Sequence, residues 1–164
     1  MIISHSNLMK MGANTVTPFN EKMVSTASID ICVGSKIVVE DLICNRDGKG
    51  SRSYYRTIDL NYLGYTSEEK PYYVKPGMFL LVATYEHVKV PNDCAIDLRL
   101  KNMIVKMGWS LSSGSWFEPN EEIDVIEIAN ITKWHVLKLW YGMPFAQIIT
   151  HKLRWGTSDL LNVF

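Results

Sequence analysis

No stretch of this chain holds the roughly 20 consecutive apolar residues that a membrane-spanning helix needs. The longest uninterrupted run, MFLLVA at 78–83, is far shorter, so no membrane partner is expected. Neither sign of charge is in surplus: Lys plus Arg and Asp plus Glu stand at 17 each. No global basic field is therefore available to hold long nucleic acid, and any anion site has to be local. Cysteine is scarce and odd in number; Cys32, Cys44 and Cys94 are far apart and form no C-x-x-C. That pattern argues against both a disulfide framework and a structural zinc site. The histidines, His5, His87, His135 and His151, are equally scattered, with no H-x-x-x-H pair and no carboxylate at metal spacing, so no resident metal is expected. The opening residues, MIISHSNLMKMGANT, show no basic leader before a long apolar stretch. They do not read as a secretory signal, and the expected location is the cytoplasm, or the host cytoplasm for a viral protein.

What is there is apolar bulk in short, alternating pieces. With 47% hydrophobic residues in 164, the chain fills one core, and a single domain over 1–164 is expected. Period-two patterns recur in SIDICVGSKIVV at 28–39, MFLLVATYEHVKV at 78–90, EIDVIEIANI at 122–131 and HVLKLWY at 135–141. Each is rich in β-branched or aromatic residues and bounded by Gly, Pro, Asn or Asp, which predicts an all-β barrel or sandwich. Two segments read as helical, one at 4–12 and one at 101–108. The polar, glycine-rich stretch NRDGKGSRSYYR at 45–56 reads as an exposed hairpin loop, with contact to a nucleotide or partner as the alternative. The five tryptophans, Trp109, Trp116, Trp134, Trp140 and Trp155, lie in the C-terminal half, most of them expected in the core or at a subunit interface.

Four segments in order carry a family resemblance: SIDICVG at 28–34, KPGMFLLVATYEHVKVPNDCAIDLRLK at 75–101, GSWFEPNEEIDVIEIAN at 114–130 and YGMPFAQI at 141–148. Over residues 28–153 the chain resembles the dCTP deaminase branch of the dUTPase-like superfamily. The resemblance implies a distorted β-barrel or jelly roll with one or two short helices. It also implies a homotrimer with each active site at a subunit interface. In the family a basic residue, two serines and an arginine line the triphosphate pocket; here Lys101, Asn102, Met103 and Lys106 stand in those places. Lys106 keeps the charge of arginine without its bidentate fork, and Met103 keeps neither polarity nor size. Lys106 and Asn102 are carried over as catalytic residues, Lys101 and Met103 as substrate-binding ones.

Glu118-Pro119-Asn120 stands where the family writes Asp-Pro-Gly, which implies that Glu118 holds the deoxyribose hydroxyl. Ile126-Glu127 matches the Leu-Glu that ends the following strand and makes Glu127 the acid/base. Strict alternation would put Ile123, Val125, Glu127 and Ala129 on one face, an apolar setting for a proton-shuttling carboxylate. The hairpin around Gly114, Ser115, Trp116 and Phe117 is expected to read the base edge, with Gln147 near the phosphates or the pocket wall. The H-x-E and P-C-x-x-C motifs of the zinc deaminases are absent, so Glu127 has to move the protons itself. Mg²⁺ is expected only through the triphosphate.

Three readings follow from the resemblance. The first is a zinc-independent dCTP deaminase releasing dUTP and ammonia. The second is a dUTP diphosphatase or a combined enzyme making dUMP. That relative usually has a glycine-rich C-terminal arm, whereas the tail RWGTSDLLNVF has a single glycine. The third is a catalytically inactive, trimeric nucleotide-binding or regulatory protein of the same fold. A phage origin fits each, because nucleotide pools are a viral target.

Overall fold

The computed structural model describes residues 1–44 and 51–153. In chain order the elements are α1 (His5–Thr15), β1 (Val16–Thr17), a 3-10 turn (Glu21–Met23), β2 (Ile29–Cys44), β3 (Ser51–Asp59), β4 (Tyr72–Val74), β5 (Phe79–Lys89) and β6 (Cys94–Leu100). There follow α2 (Asn102–Lys106), β7 (Trp109–Leu111), β8 (Trp116–Phe117), β9 (Glu122–Asn130), β10 (Leu137–Leu139) and β11 (Pro144–Lys152). The expected all-β class and both short helices are found. Residues 51–56, read from sequence as loop, are instead part of β3, which pairs with β2 from Lys36↔Asp59 to Cys44↔Ser51. Residues 45–50 and the tail at 154–164 lie outside the described residues.

The main sheet is antiparallel, in the order β7-β9-β5-β2-β11-β6-β8, with β1 added to β5 and β3 to β2; β10 and β4 form a small second sheet. It curls around its own inner face. Ile31, Val82, Ile128, Leu98 and Ile148 come from five different strands and are all buried in one cluster. Alternation produces this directly: on β5, Leu80, Val82, Glu86 and Val88 point inward while Phe79, Tyr85 and Lys89 point outward. α1 closes one side with Leu8, Gly12 and Thr15, spaced by four and three residues on one helical face. Among the described residues no helix is long and apolar enough to cross a membrane.

The curl requires the long β2 to change partners. Its first residues pair with β11 and its later ones with β5 and β3, and the register against β5 shifts between Val33 and Ile37. Gly34 sits in this break, where a Cβ would lie 2.6 Å from the Thr84 carbonyl oxygen, so only glycine fits. The register of β5 against β9 shifts in turn between Ala83 and Val88. At this double irregularity the Glu86 carboxylate accepts a hydrogen bond from the Cys32 N–H at 2.8 Å.

Of the tryptophans, Trp109 is fully buried and Trp140 packs on the core, whereas Trp116 and Trp134 are exposed. The crowding of indoles in one half of the sequence therefore did not mean a common role.

Burial pushes the Glu86 carboxyl above its ordinary value of 4.5, opposed by the Cys32 N–H. The folded state then holds the proton more tightly than the unfolded chain. The associated stability is complete below the ordinary value and is lost as pH rises through the folded value. Glu86→Gln keeps an acceptor but cannot ionise. In thermal denaturation the parent should lose stability relative to this variant as pH is raised from about 4 to neutrality; a gap independent of pH would contradict the assignment.

Candidate functional site

α2 is short because its end is forced. Ile104 is its one buried residue, and Gly108, two positions after the last helical residue, adopts φ 103°. A Cβ there would lie 2.1 Å from the Thr132 methyl, and the Gly108 carbonyl accepts from the Ile131 N–H at 3.0 Å. The chain then enters β7, whose register with β9 is Trp109↔Asn130, Ser110↔Ala129 and Leu111↔Ile128. One step on, the Ser112 N–H donates to the Glu127 carbonyl at 2.7 Å. The hairpin at 112–117 therefore starts directly across from Glu127.

On β9 the inward residues are Ile123, Ile126, Ile128 and Asn130. The inward phase changes between Ile123 and Ile126, opposite the irregularity in β5, so Ile123 does not share a face with Glu127 as simple alternation suggested. Glu127 projects outward with Val125 and Ala129, half-buried in this single copy. Of the three apolar neighbours expected on its face, Val125 and Ala129 share it.

An open cavity of about 640 Å³ lies between the end of β6, α2, β7 and the hairpin. Among the site residues expected from sequence, Asn102, Ser115 and Trp116 line it. Gly114 is exposed near the hairpin tip, and Phe117 packs on the core with Ile96 as its strand partner. Trp116 is half-exposed; its indole N–H donates to Glu118 Oε1 at 3.0 Å and its ring leans on His151 at 5.3 Å. Two expected substrate contacts are thus engaged with each other. Asn120 adopts φ 69°, the left-handed conformation that glycine takes freely and that asparagine tolerates better than most residues.

The cations are placed unequally. Lys101 extends to Asp30 and its ammonium is held by that carboxylate, both side chains being largely covered. Lys106 and Met103 stand on the exposed side of α2, and Lys106 has no ion-pair partner among the described residues. Gln147 lies in register between Asp30 on β2 and Arg99 on β6, and its Oε1 accepts from Ser28 Oγ at 3.4 Å. Sequence reasoning passed over Asp30 and Asp97, and it read Arg99 only as one of the three cations of RLKNMIVKMG at 99–108, an anion site or a solvated edge, without giving it a role of its own. Asp97 and Arg99 also line the cavity, and their spacing of two on a strand was the available signal, because residues i and i+2 share a face.

One grouping was not expected from spacing. His87, on β5, meets Asp124 and approaches Glu122 within 4.0 Å, and these three are the one set among the described residues with donor atoms close enough for a metal ion. All three are at least half-exposed or nearly so and none lines the cavity. Cys32 and Cys94 are buried, and burial pushes the Cys32 thiol up to about 12.

The architecture defines a class. The structure superposes on a 2'-deoxycytidine 5'-triphosphate deaminase from Agrobacterium tumefaciens with a TM-score of 0.69 at 15% identity, covering 99% of this chain and 51% of that one. The native EIAV dUTPase superposes at 0.50 with 16% identity, covering 87% of each chain. The fold is therefore the one that these two proteins share. Residues 4–153 match the dCTP deaminase-like family, and the chain belongs to it. The match reaches further toward the N-terminus than the motifs do and takes in α1. Relatives include proteins named dCTP deaminase, dUMP-forming, from Methanosphaera stadtmanae, 29% identical over 137 residues, and from Acidothermus cellulolyticus, 29% identical over 139. This chain aligns over 79% and 84% of its own length and spans 66% and 71% of theirs.

The unequal cations give a stability test. Lys101→Ala strands a largely covered Asp30 carboxylate and should cost roughly 1–3 kcal/mol, whereas Lys106→Ala, on an exposed face, should stay within about 0.5 kcal/mol of the parent. Denaturant titrations compare the two; equal losses would contradict the Asp30 pairing.

Proposed function

We propose that this protein is a deaminase of dCTP in which Glu127 carries the protons. The observation that carries the reading is the placement of Glu127 on the outward face of β9, directly across from the start of the 112–117 hairpin. Family membership and the names of the relatives support the substrate. In the reaction, Glu127 takes a proton from water as its oxygen bonds to C4 of the cytosine. The carboxylic acid gives that proton to N3 of the ring, the regenerated carboxylate takes the second proton from the new C4 hydroxyl and passes it to the amine, the C4–N bond breaks, and ammonia leaves with a carbonyl in its place. The hairpin backbone around Gly114 fixes the base, and Mg²⁺ arrives with the triphosphate as part of the substrate.

The site is completed between copies in a homotrimer. Glu127 does not line the cavity that holds Asn102 and Arg99, so one copy's carboxylate and another's cavity can share one nucleotide. α2 and the loop after β9, joined at Gly108 and Ile131, expose Met103, Val105, Met107, Ile131 and Trp134, apolar side chains suited to burial against a second copy. Light scattering at micromolar concentration should give three times the monomer mass; a monomer would remove the composite site.

A second reading concerns the product. The relatives are named dUMP-forming, which favours release of pyrophosphate as well as ammonia. The deciding experiment incubates the protein with dCTP and Mg²⁺ and follows the two products separately, for the parent and for Glu127→Gln. The variant keeps size and hydrogen bonding but loses the proton acceptor, so ammonia release should fall by about a hundredfold or more with little change in nucleotide affinity. Ammonia with pyrophosphate in equal amounts identifies the dUMP-forming reaction. A variant that turns over as fast as the parent contradicts the role of Glu127. A parent that binds nucleotide and releases neither product is a binder.

A further inference from the structure

The phosphate-binding element implied by the family resemblance is short of guanidinium groups. Lys106 replaces an arginine, and the Lys101 ammonium is held by Asp30. The cavity nevertheless contains an arginine, on a different element. Asp97 and Arg99 project from the same face of β6; the Asp97 side chain is 12% exposed and that of Arg99 63%. Arg99 Nε donates to Asp97 Oδ2 at 2.8 Å, and Nη2 pairs with the same oxygen at 2.7 Å. This contact takes up one edge of the planar guanidinium and holds it in its charged form. The other edge, formed by Nη1 and the outer N–H of Nη2, has no acceptor among the described residues and belongs to an exposed side chain.

The surroundings suit a ligand oxygen. Asn102, Ser110 and Ser115 add neutral polar groups to the same cavity, and the hairpin is fastened to β6 beside Arg99 by the Leu98 N–H to Ser115 carbonyl bond at 2.6 Å. Among the described residues Asp97 and Arg99 are the only charged ones of the lining, so attraction from these residues comes from directed N–H groups and not from a broad positive field. A guanidinium already fixed in plane loses little freedom on binding, and its fork matches two phosphate oxygens where an ammonium offers a point charge.

We propose that Arg99 is an anion-binding residue of this cavity, its free guanidinium edge taking two oxygens of the nucleotide's phosphate chain and supplying from β6 the bidentate contact that lysine at 106 lacks. The proposal rests on the nucleotide reading for its ligand, but its test does not depend on turnover. Titration calorimetry with inorganic tripolyphosphate is carried out on the full-length protein, on Arg99→Gln and on Arg99→Lys, each checked for a cooperative melting transition. Loss of a charge-assisted contact should weaken tripolyphosphate binding by about tenfold or more in Arg99→Gln, and Arg99→Lys should recover only part of it. If the Gln variant does not fold, the Lys variant carries the test, since it keeps the charge and the partner of Asp97 and loses only the fork. Parental affinity in whichever variant is folded, or a parent that does not bind tripolyphosphate, overturns the proposal. Arg99-dependent tripolyphosphate binding in a protein that never deaminates dCTP keeps the anion site and sinks the deaminase reading. Deamination with an unchanged KM for dCTP in Arg99→Gln does the reverse.

Discussion

The hydrogen bond from the Cys32 N–H to the buried Glu86 carboxylate sits where the sheet would otherwise fail. A curled sheet needs its central strands to slip in register, and each slip leaves backbone groups without ladder partners. β2 slips against β5 between Val33 and Ile37, and β5 slips against β9 between Ala83 and Val88. The two faults meet at Glu86, which turns inward and supplies the missing acceptor. On one side of it β2 pairs with β11, on the other with β3. The same fault sets the inward phase of β9 from Ile126 onward, and so puts Glu127 on the outer surface beside the hairpin. A structural carboxylate thus determines where the proposed reactive one stands.

Charge is organised by a second constraint. The chain has equal numbers of acidic and basic residues, and the outer face of β2, β11 and β6 uses two covered aspartates to hold two of its cations: Asp30 takes Lys101, and Asp97 takes Arg99. Covered carboxylates need partners, and the cations nearest the cavity provide them. The outcome differs with the chemistry of each cation. The ammonium of Lys101 is drawn away to Asp30, whereas a guanidinium can satisfy Asp97 with one edge and keep another.

Much of the fold was legible because alternation and burial are local signals. LLVA within β5 and IEIAN within β9 read as strands and are strands, and NMIVK within the stretch read as helical at 101–108 folds as a helix, although Met103, Val105 and Met107 left its period ambiguous. The errors came where long-range pairing overrode local pattern. NRDGKGSRSYYR looked like loop because of its polarity, yet its last residues are held in β3 by the length of β2. Ile123 was placed on the Glu127 face because a bulge in the partner strand leaves no mark on the strand opposite. At the site, the family resemblance pointed to Glu127, the hairpin and α2, and the structure brings the hairpin and α2 to one cavity with Glu127 outside its lining. The resemblance could not show that Lys101 is held by a residue 71 positions away in sequence. His87 met Glu122 and Asp124 for the same reason, through strand pairing that no spacing rule reports.

The central claim is that the proton-carrying carboxylate and the phosphate-holding cavity come together from different copies of one chain. Mixing two inactive variants tests it most directly. Glu127→Gln removes the carboxylate, Arg99→Glu reverses the charge in the cavity, and the two proteins are unfolded together, refolded and assayed for ammonia release from dCTP. The account predicts that activity lacking in either variant alone reappears in the mixture, because some interfaces then pair an intact Glu127 with an intact Arg99. A mixture as inactive as its components, with heterotrimers demonstrated by mass, would contradict it.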